Sequence, residues 1–215
     1  MAQLDTDILV HRSFNIIYLC LFLIVSISIS IGEEFTLFMG SESGPIEQFS
    51  SIGYFLAAAA ALYSYRKGNI SHGLNAAVIL CAMALREMDF HDRFTTMGIM
   101  KTRFYISPAV PVHEKIIGTT VMLVLLYVVI RFLWMNTRSF IQALQVRNGS
   151  ALLVLNGIVF TVASKLIDGS NTLFFSILEE TLEFTIPFFF LLAILFHDRE
   201  VSLLSTARSG TDNRV

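Results

Sequence analysis

Six long apolar stretches constrain this chain more than any other feature. They cover roughly residues 14–32, 46–65, 70–90, 116–135, 150–168 and 174–196. About 20 predominantly apolar residues make a helix long enough to cross the hydrocarbon core of a bilayer. The stretches are continuous rather than alternating, which argues against the strands of a membrane barrel. The expected fold is therefore an all-α membrane protein with six transmembrane helices. Composition agrees, since 54% of residues are hydrophobic and only 15% are charged, with a mean hydropathy of +0.67. Too few polar side chains are present to coat a globule, so lipid is the expected solvent and the bilayer the first expected partner. The first stretch follows His11 and Arg12, as a signal core would. It is long for one, and no small-x-small cleavage site follows, so it is expected to stay as the first helix.

Basic residues in the flanks set the orientation. Arg12, Arg66, Lys67, Arg131, Arg138, Arg147, Arg199, Arg208 and Arg214 fall on one side, and the other six basic residues on the opposite side. The first side is expected to be cytoplasmic, with both termini inside. Nine basic against five acidic residues leave it at +4, while six against twelve leave the outer side at −6. The expected location is a plasma membrane of the bacterial inner-membrane kind, with the functional face extracytoplasmic. A net charge of −2 gives no reason to expect nucleic acid as a partner. The transmembrane domain is taken as residues 1–204, and the polar segment 205–215 as a disordered cytoplasmic tail.

A shift of 106 residues lays each of the first three stretches on one of the last three, and sets Phe90-His91-Asp92-Arg93 on Phe196-His197-Asp198-Arg199. Three spans per half force opposite orientations, so a 3+3 inverted repeat is a candidate organisation. The long outer loop, 91–115, carries Pro108 and Pro111. Cys20 and Cys81 lie inside apolar stretches and read as small buried apolar side chains.

The chemistry-bearing residues lie at the outer ends of the helices. With the last span starting near Phe174, Glu179, Glu180 and Glu183 are about 8 to 14 Å inside it at 1.5 Å per residue. Carboxylates at that depth are costly unless paired, protonated or bound to a cation. Glu179 and Glu183 share a face at i, i+4, and Pro187 is placed to kink the helix beyond them. Arg86, Glu87 and His91 close the third span. Continued helix would bring Glu87 and His91 one turn apart, a spacing suited to two metal ligands. His113 and Glu114 precede the fourth span, Lys165 and Asp168 end the fifth, and Glu47 opens the second.

Three function classes follow. The first is a metal-dependent hydrolase or transferase acting on a lipid-like substrate. Glu87, His91, Glu179 and Glu183 would hold a divalent cation, for which a mixed histidine and carboxylate set suits Zn, Mn or Fe. His113 would be a further ligand or base and Glu180 would join the catalytic set, while Arg86 and Lys165 would neutralise a phosphate or oxyanion. The second is a cation or proton-coupled transporter or channel, with Glu183 and Lys165 as a titrating pair. The third is a non-catalytic membrane subunit whose polar face docks a partner. The sequence carries no Gly-x-Ser-x-Gly, P-loop, Gly-x-Gly-x-x-Gly or His-Glu-x-x-His motif. The Glu179-Glu180 pair is similar to that of intramembrane prenyl-protein proteases, and the outer Asp, His and Glu set resembles that of ceramidase-like membrane hydrolases. No arginine follows the glutamate pair, the histidine segments come in another order, and the late histidine pair of the second group is missing. The chain is assigned to neither family.

Overall fold

The computed structural model describes residues 2–41, 44–93, 95–168 and 172–212, with the side chains of 2–7, 91, 92 and 202–212 outside that description. Every regular element among the described residues is helical. The order is α1 (Ala2–Ile31), α2 (Glu33–Met39), α3 (Pro45–Arg66), α4 (Gly73–Glu87), α5 (Phe90–Arg93), α6 (Thr102–Ile106), α7 (Val112–Gln145), α8 (Gly149–Ile167) and α9 (Leu173–Asp212). The six apolar stretches correspond to α1, α3, α4, α7, α8 and α9.

Among the described residues, three helices are long and apolar enough to cross a membrane by length and composition: α1 over Ile8–Ile31, α7 over Val112–Gln145, and α8 over Gly149–Ile167. The other three long helices differ in physical character. α4 has only 15 residues. α3 interleaves Ser50, Ser51, Tyr54 and Ser64 with its alanines, all four of them buried. α9 carries three glutamates in its first turns. Its helix continues through Asp212, across most of the segment read as a tail, and residues 213–215 of that segment lie outside the described residues.

Packing centres on α9, which lies against α8, α3 and α1. Phe189 of α9 is fully buried among Ile17, Leu153 and Ala193. Its ring meets Phe160 edge-on at 5.2 Å and Phe14 at 5.9 Å between centroids. α3 and α4 meet along a seam of small residues, Ala57, Ala58 and Ala61 against Ala77 and Ala84. Small side chains let membrane helices approach closely. Gly73 shows how closely, since a Cβ there would lie 2.7 Å from the Ala61 carbonyl oxygen. Tyr18 of α1 donates to Asn156 of α8 at 2.6 Å, a polar tie within an otherwise apolar contact.

Pro187 sits inside α9 and is fully buried. Proline has no N–H, so the carbonyl four residues back, that of Glu183, loses its helical donor. The Ser50 hydroxyl of α3 donates to that carbonyl at 3.5 Å. Next to it, Gly53 makes room for the proline ring: a Cβ there would stand 3.0 Å from both Cβ and Cγ of Pro187. Glycine at position 53 and proline at 187 thus fit as a pair.

α1 ends at Gly32, whose φ of 126° is left to glycine. Thr36 then folds back, its hydroxyl donating to Ser28 O at 2.7 Å. The loop before α7 is packed rather than loose. Phe104 is fully buried, and a Cβ on Gly118 would come within 2.9 Å of its ring. Glu114 accepts from Thr96 N at 2.9 Å and from Thr96 Oγ1 at 3.0 Å.

Two expectations are corrected. Cys20 is exposed rather than buried, and Cys81 is half-buried. The third stretch is not one helix to its end. α4 stops at Glu87, Asp89 takes a left-handed φ of 49°, and a new turn, α5, starts at Phe90. Glu87 and His91 therefore sit on different helices, and the one-turn spacing expected of them does not form.

Candidate functional site

The ends of α4, α8 and α9 meet at one end of the bundle and bring charged side chains together. Glu183 is the hub. Its Oε2 accepts from Arg86 Nη2 at 3.1 Å, and its Oε1 lies 2.9 Å from Lys165 Nζ. The same Arg86 nitrogen is 3.1 Å from Glu87 Oε1. Lys165 also reaches Asp168 at 3.5 Å and Glu179 at 3.8 Å. Two cations and four carboxylates are thereby linked across three helices.

Helix geometry explains the assembly. Glu179 and Glu183 are one turn apart on the face of α9 that α8 covers, so a single lysine on α8 spans both. Arg86 lies in the last turn of α4, where its charge complements the helix dipole. The glutamates are the deeper groups: the side chains of Glu87 and Glu183 are 5% and 14% exposed, against 31% for Arg86, 47% for Lys165 and 56% for Asp168. The three glutamates of the network therefore lie inside, with Arg86, Lys165 and Asp168 nearer the surface.

Glu180 is half-buried beside this network, against Gly40. It lies within electrostatic reach of four carboxylates, Glu183, Glu47, Glu179 and Glu87, and of the Arg86 guanidinium. No cation pairs with it among the described residues. Thr181 and Thr185, on the same helix, are buried but satisfied by α9's own carbonyls, Ile177 O at 2.6 Å and Leu182 O at 2.8 Å.

Of the residues singled out in the sequence, Arg86, Glu87, Lys165, Glu179 and Glu183 come together directly, and Glu180 adjoins them. His113 does not join them. It is exposed in the first turn of α7, and among the described residues its side chain makes no hydrogen bond or ion pair. The His91 side chain lies outside the described residues. Among the described residues, no group of three or more His, Cys, Asp or Glu side chains is disposed to hold a metal ion.

Two participants were not apparent from sequence. Ser50 serves the Glu183 carbonyl, and only Pro187, four residues further on, hints that this carbonyl needs a donor. Tyr54, fully buried in α3, is within electrostatic reach of Glu87, Arg86 and Glu183, and nothing in its apolar surroundings in the sequence signals this.

The opposite end of the bundle is also polar. Asp198 of α9 accepts from Ser64 Oγ at 2.8 Å and from the Asn69 amide, with Lys67 at 4.0 Å. The hydrogen bonds from Asn69 and Ser64 hold its carboxyl below the usual carboxylate range. Asn148 caps α8 by accepting from Ala151 N at 3.1 Å and donates to Glu200 at 3.0 Å. These bonds tie the α3–α4 and α7–α8 turns to α9.

No family model, no curated protein and no solved structure matches this chain.

Proposed function

We propose that this chain is a six-span integral membrane protein of the plasma membrane with both termini cytoplasmic. Its charged cluster, at the extracytoplasmic ends of α4, α8 and α9, takes up and releases a proton or a small cation. The observation that carries this reading is the sharing of Glu183 between Arg86 and Lys165, with Glu180 beside it and in no ion pair among the described residues. Glu87, Glu179, Glu180 and Glu183 bring four negative charges, and Arg86 and Lys165 bring two positive ones. Charges at membrane depth are held only when compensated, so the surplus calls for a mobile positive charge. Lys165 is the group able to yield. Nearly half of its side chain is exposed, and its flexible stem lets the ammonium swing away from Glu183 when an incoming ion takes its place. When the ion leaves, Lys165 closes again. Arg86 stays, held between Glu87 and Glu183.

In this reading α3, α4 and α9 are the inner helices of a six-span bundle, surrounded by α1, α7 and α8, the three long and apolar enough to cross by length and composition. The outer positions of α1 and α7 support it, since Phe22, Leu123, Leu126 and many other large apolar side chains there are exposed. Such a surface suits lipid and not water.

The test uses the purified chain in phospholipid vesicles with a trapped pH dye, challenged in turn with Na⁺, K⁺ and Mg²⁺ gradients. Proton movement or saturable cation uptake is expected in the wild type and is lost in Glu183→Gln, with the helical circular dichroism retained. Bound Zn, Mn or Fe is measured on the same samples. Stoichiometric metal that disappears in Glu183→Gln would replace this reading with the metal-dependent hydrolase or transferase. If neither flux nor metal is found and Glu183→Gln only lowers stability, the cluster is a structural lock and the proposal falls.

A further inference from the structure

α7 is the long helix least covered by protein, and its second half presents a distinct face. Arg131, Arg138, Gln142 and Gln145 follow one another at intervals of seven, four and three residues, so they form one stripe along the helix. Trp134 borders the stripe, is 86% exposed, and is the chain's single tryptophan. Arg147 stands just beyond, in the turn to α8. Among the described residues none of these three arginine side chains makes an ion pair or hydrogen bond. No aspartate or glutamate occurs between Glu114 and Asp168, so nothing on α7 or α8 neutralises them.

Unneutralised guanidinium groups beside an exposed indole call for an anionic partner. In a chain solvated by lipid, the anion within reach is the headgroup phosphate. Arginine stems extend along apolar surface to place their charge there, and tryptophan favours the same level. Length agrees: α7 has 34 residues. That is about 51 Å of helix against about 30 Å of hydrocarbon, so a helix this long leaves the core well before its end. We propose that the Arg131, Arg138 and Arg147 edge of α7 binds anionic phospholipid headgroups of the cytoplasmic leaflet. This rests on the six-span reading, in which the α7–α8 turn is cytoplasmic. The unpartnered face of α7 is then a lipid contact, where acidic headgroups gather around Trp134.

Trp134 is its own probe. The full chain is placed in phosphatidylcholine vesicles containing phosphatidylglycerol, with bromine carried either by the phosphatidylglycerol or by an equal amount of the phosphatidylcholine. Bromine quenches indole fluorescence on contact. The brominated acidic lipid is expected to quench Trp134 by about twofold more than the neutral one, and the excess to vanish in Arg131→Gln/Arg138→Gln but persist in Arg131→Lys/Arg138→Lys. Equal quenching by the two lipids in the wild type overturns the proposal. Absence of quenching by either, in chain that floats with the vesicles, overturns it in favour of a second copy of the chain covering the face. Chain that does not float with the vesicles removes the membrane reading itself, a failure distinct from the other two.

Discussion

Gly53→Ala isolates the fit between α3 and the proline of α9. The new Cβ would stand 3.0 Å from Cβ and from Cγ of Pro187, well inside ordinary carbon–carbon contact. Both atoms belong to a ring locked into the helix backbone, so no side chain can rotate to relieve them. The helices must separate by a few tenths of an ångström, and overpacking of this kind costs about 1–3 kcal/mol. Ser50, one turn earlier on α3, already bonds the Glu183 carbonyl at the long distance of 3.5 Å. Any separation breaks that bond and adds about 1 kcal/mol for the orphaned carbonyl. Alanine returns about 1 kcal/mol through its better helix propensity. The net expectation is a loss of roughly 1–3 kcal/mol. It is measured by circular dichroism during reversible unfolding in mixed dodecyl maltoside and SDS micelles. Gly40→Ala is the control, since its Cβ meets only ordinary contacts of 3.5 to 3.8 Å. It should stay within about 0.5 kcal/mol of the wild type. If Gly53→Ala is as stable as Gly40→Ala, the proline–glycine fit is not what seats α9.

The opposite end offers two further tests. Asp198 is held below its ordinary carboxylate range, so its contribution to stability is present above about pH 3.9 and is lost as pH falls through the lower folded value. The wild type should therefore unfold at higher SDS than Asp198→Asn at pH 6, with the gap closing toward pH 3; a gap that widens on acidification would contradict the sign. Asn148→Ala removes both the cap on Ala151 N and the bond to Glu200, and should cost about 1–2 kcal/mol in the same assay. A double-mutant cycle with Glu200→Gln separates the two, and additive losses would show that the link to α9 carries no energy.

What the sequence made legible follows from the strength of each signal. Runs of about 20 apolar residues are long enough that tertiary context rarely overrides them, and each became a helix. The gathering of Arg86, Lys165, Glu179 and Glu183 was readable because charges placed several residues inside an apolar run must find one another. The break after Glu87 was not readable. Asp89 occupies a left-handed conformation that carries no composition signal, and the expected link from Glu87 to His91 depended on a helix that stops there. His113 was grouped with the carboxylates because it flanks a span at the same expected level. It opens α7, a helix in contact with α4 and α8 rather than α9, and level alone does not bring side chains together. Cys20 read as buried because its neighbours are apolar, which does not tell a protein interior from a lipid-facing surface.

Everything proposed for the cluster depends on which side of the membrane it faces. The direct measurement is labelling of single cysteines in intact cells with a membrane-impermeant maleimide, in a background carrying Cys20→Ser and Cys81→Ser. Ala109→Cys lies on the exposed loop before α7, and Ser71→Cys on the exposed turn between α3 and α4. The extracytoplasmic placement of the cluster requires that Ala109→Cys be labelled in intact cells and Ser71→Cys only after permeabilisation. The reverse pattern, or labelling of both without permeabilisation, would contradict it.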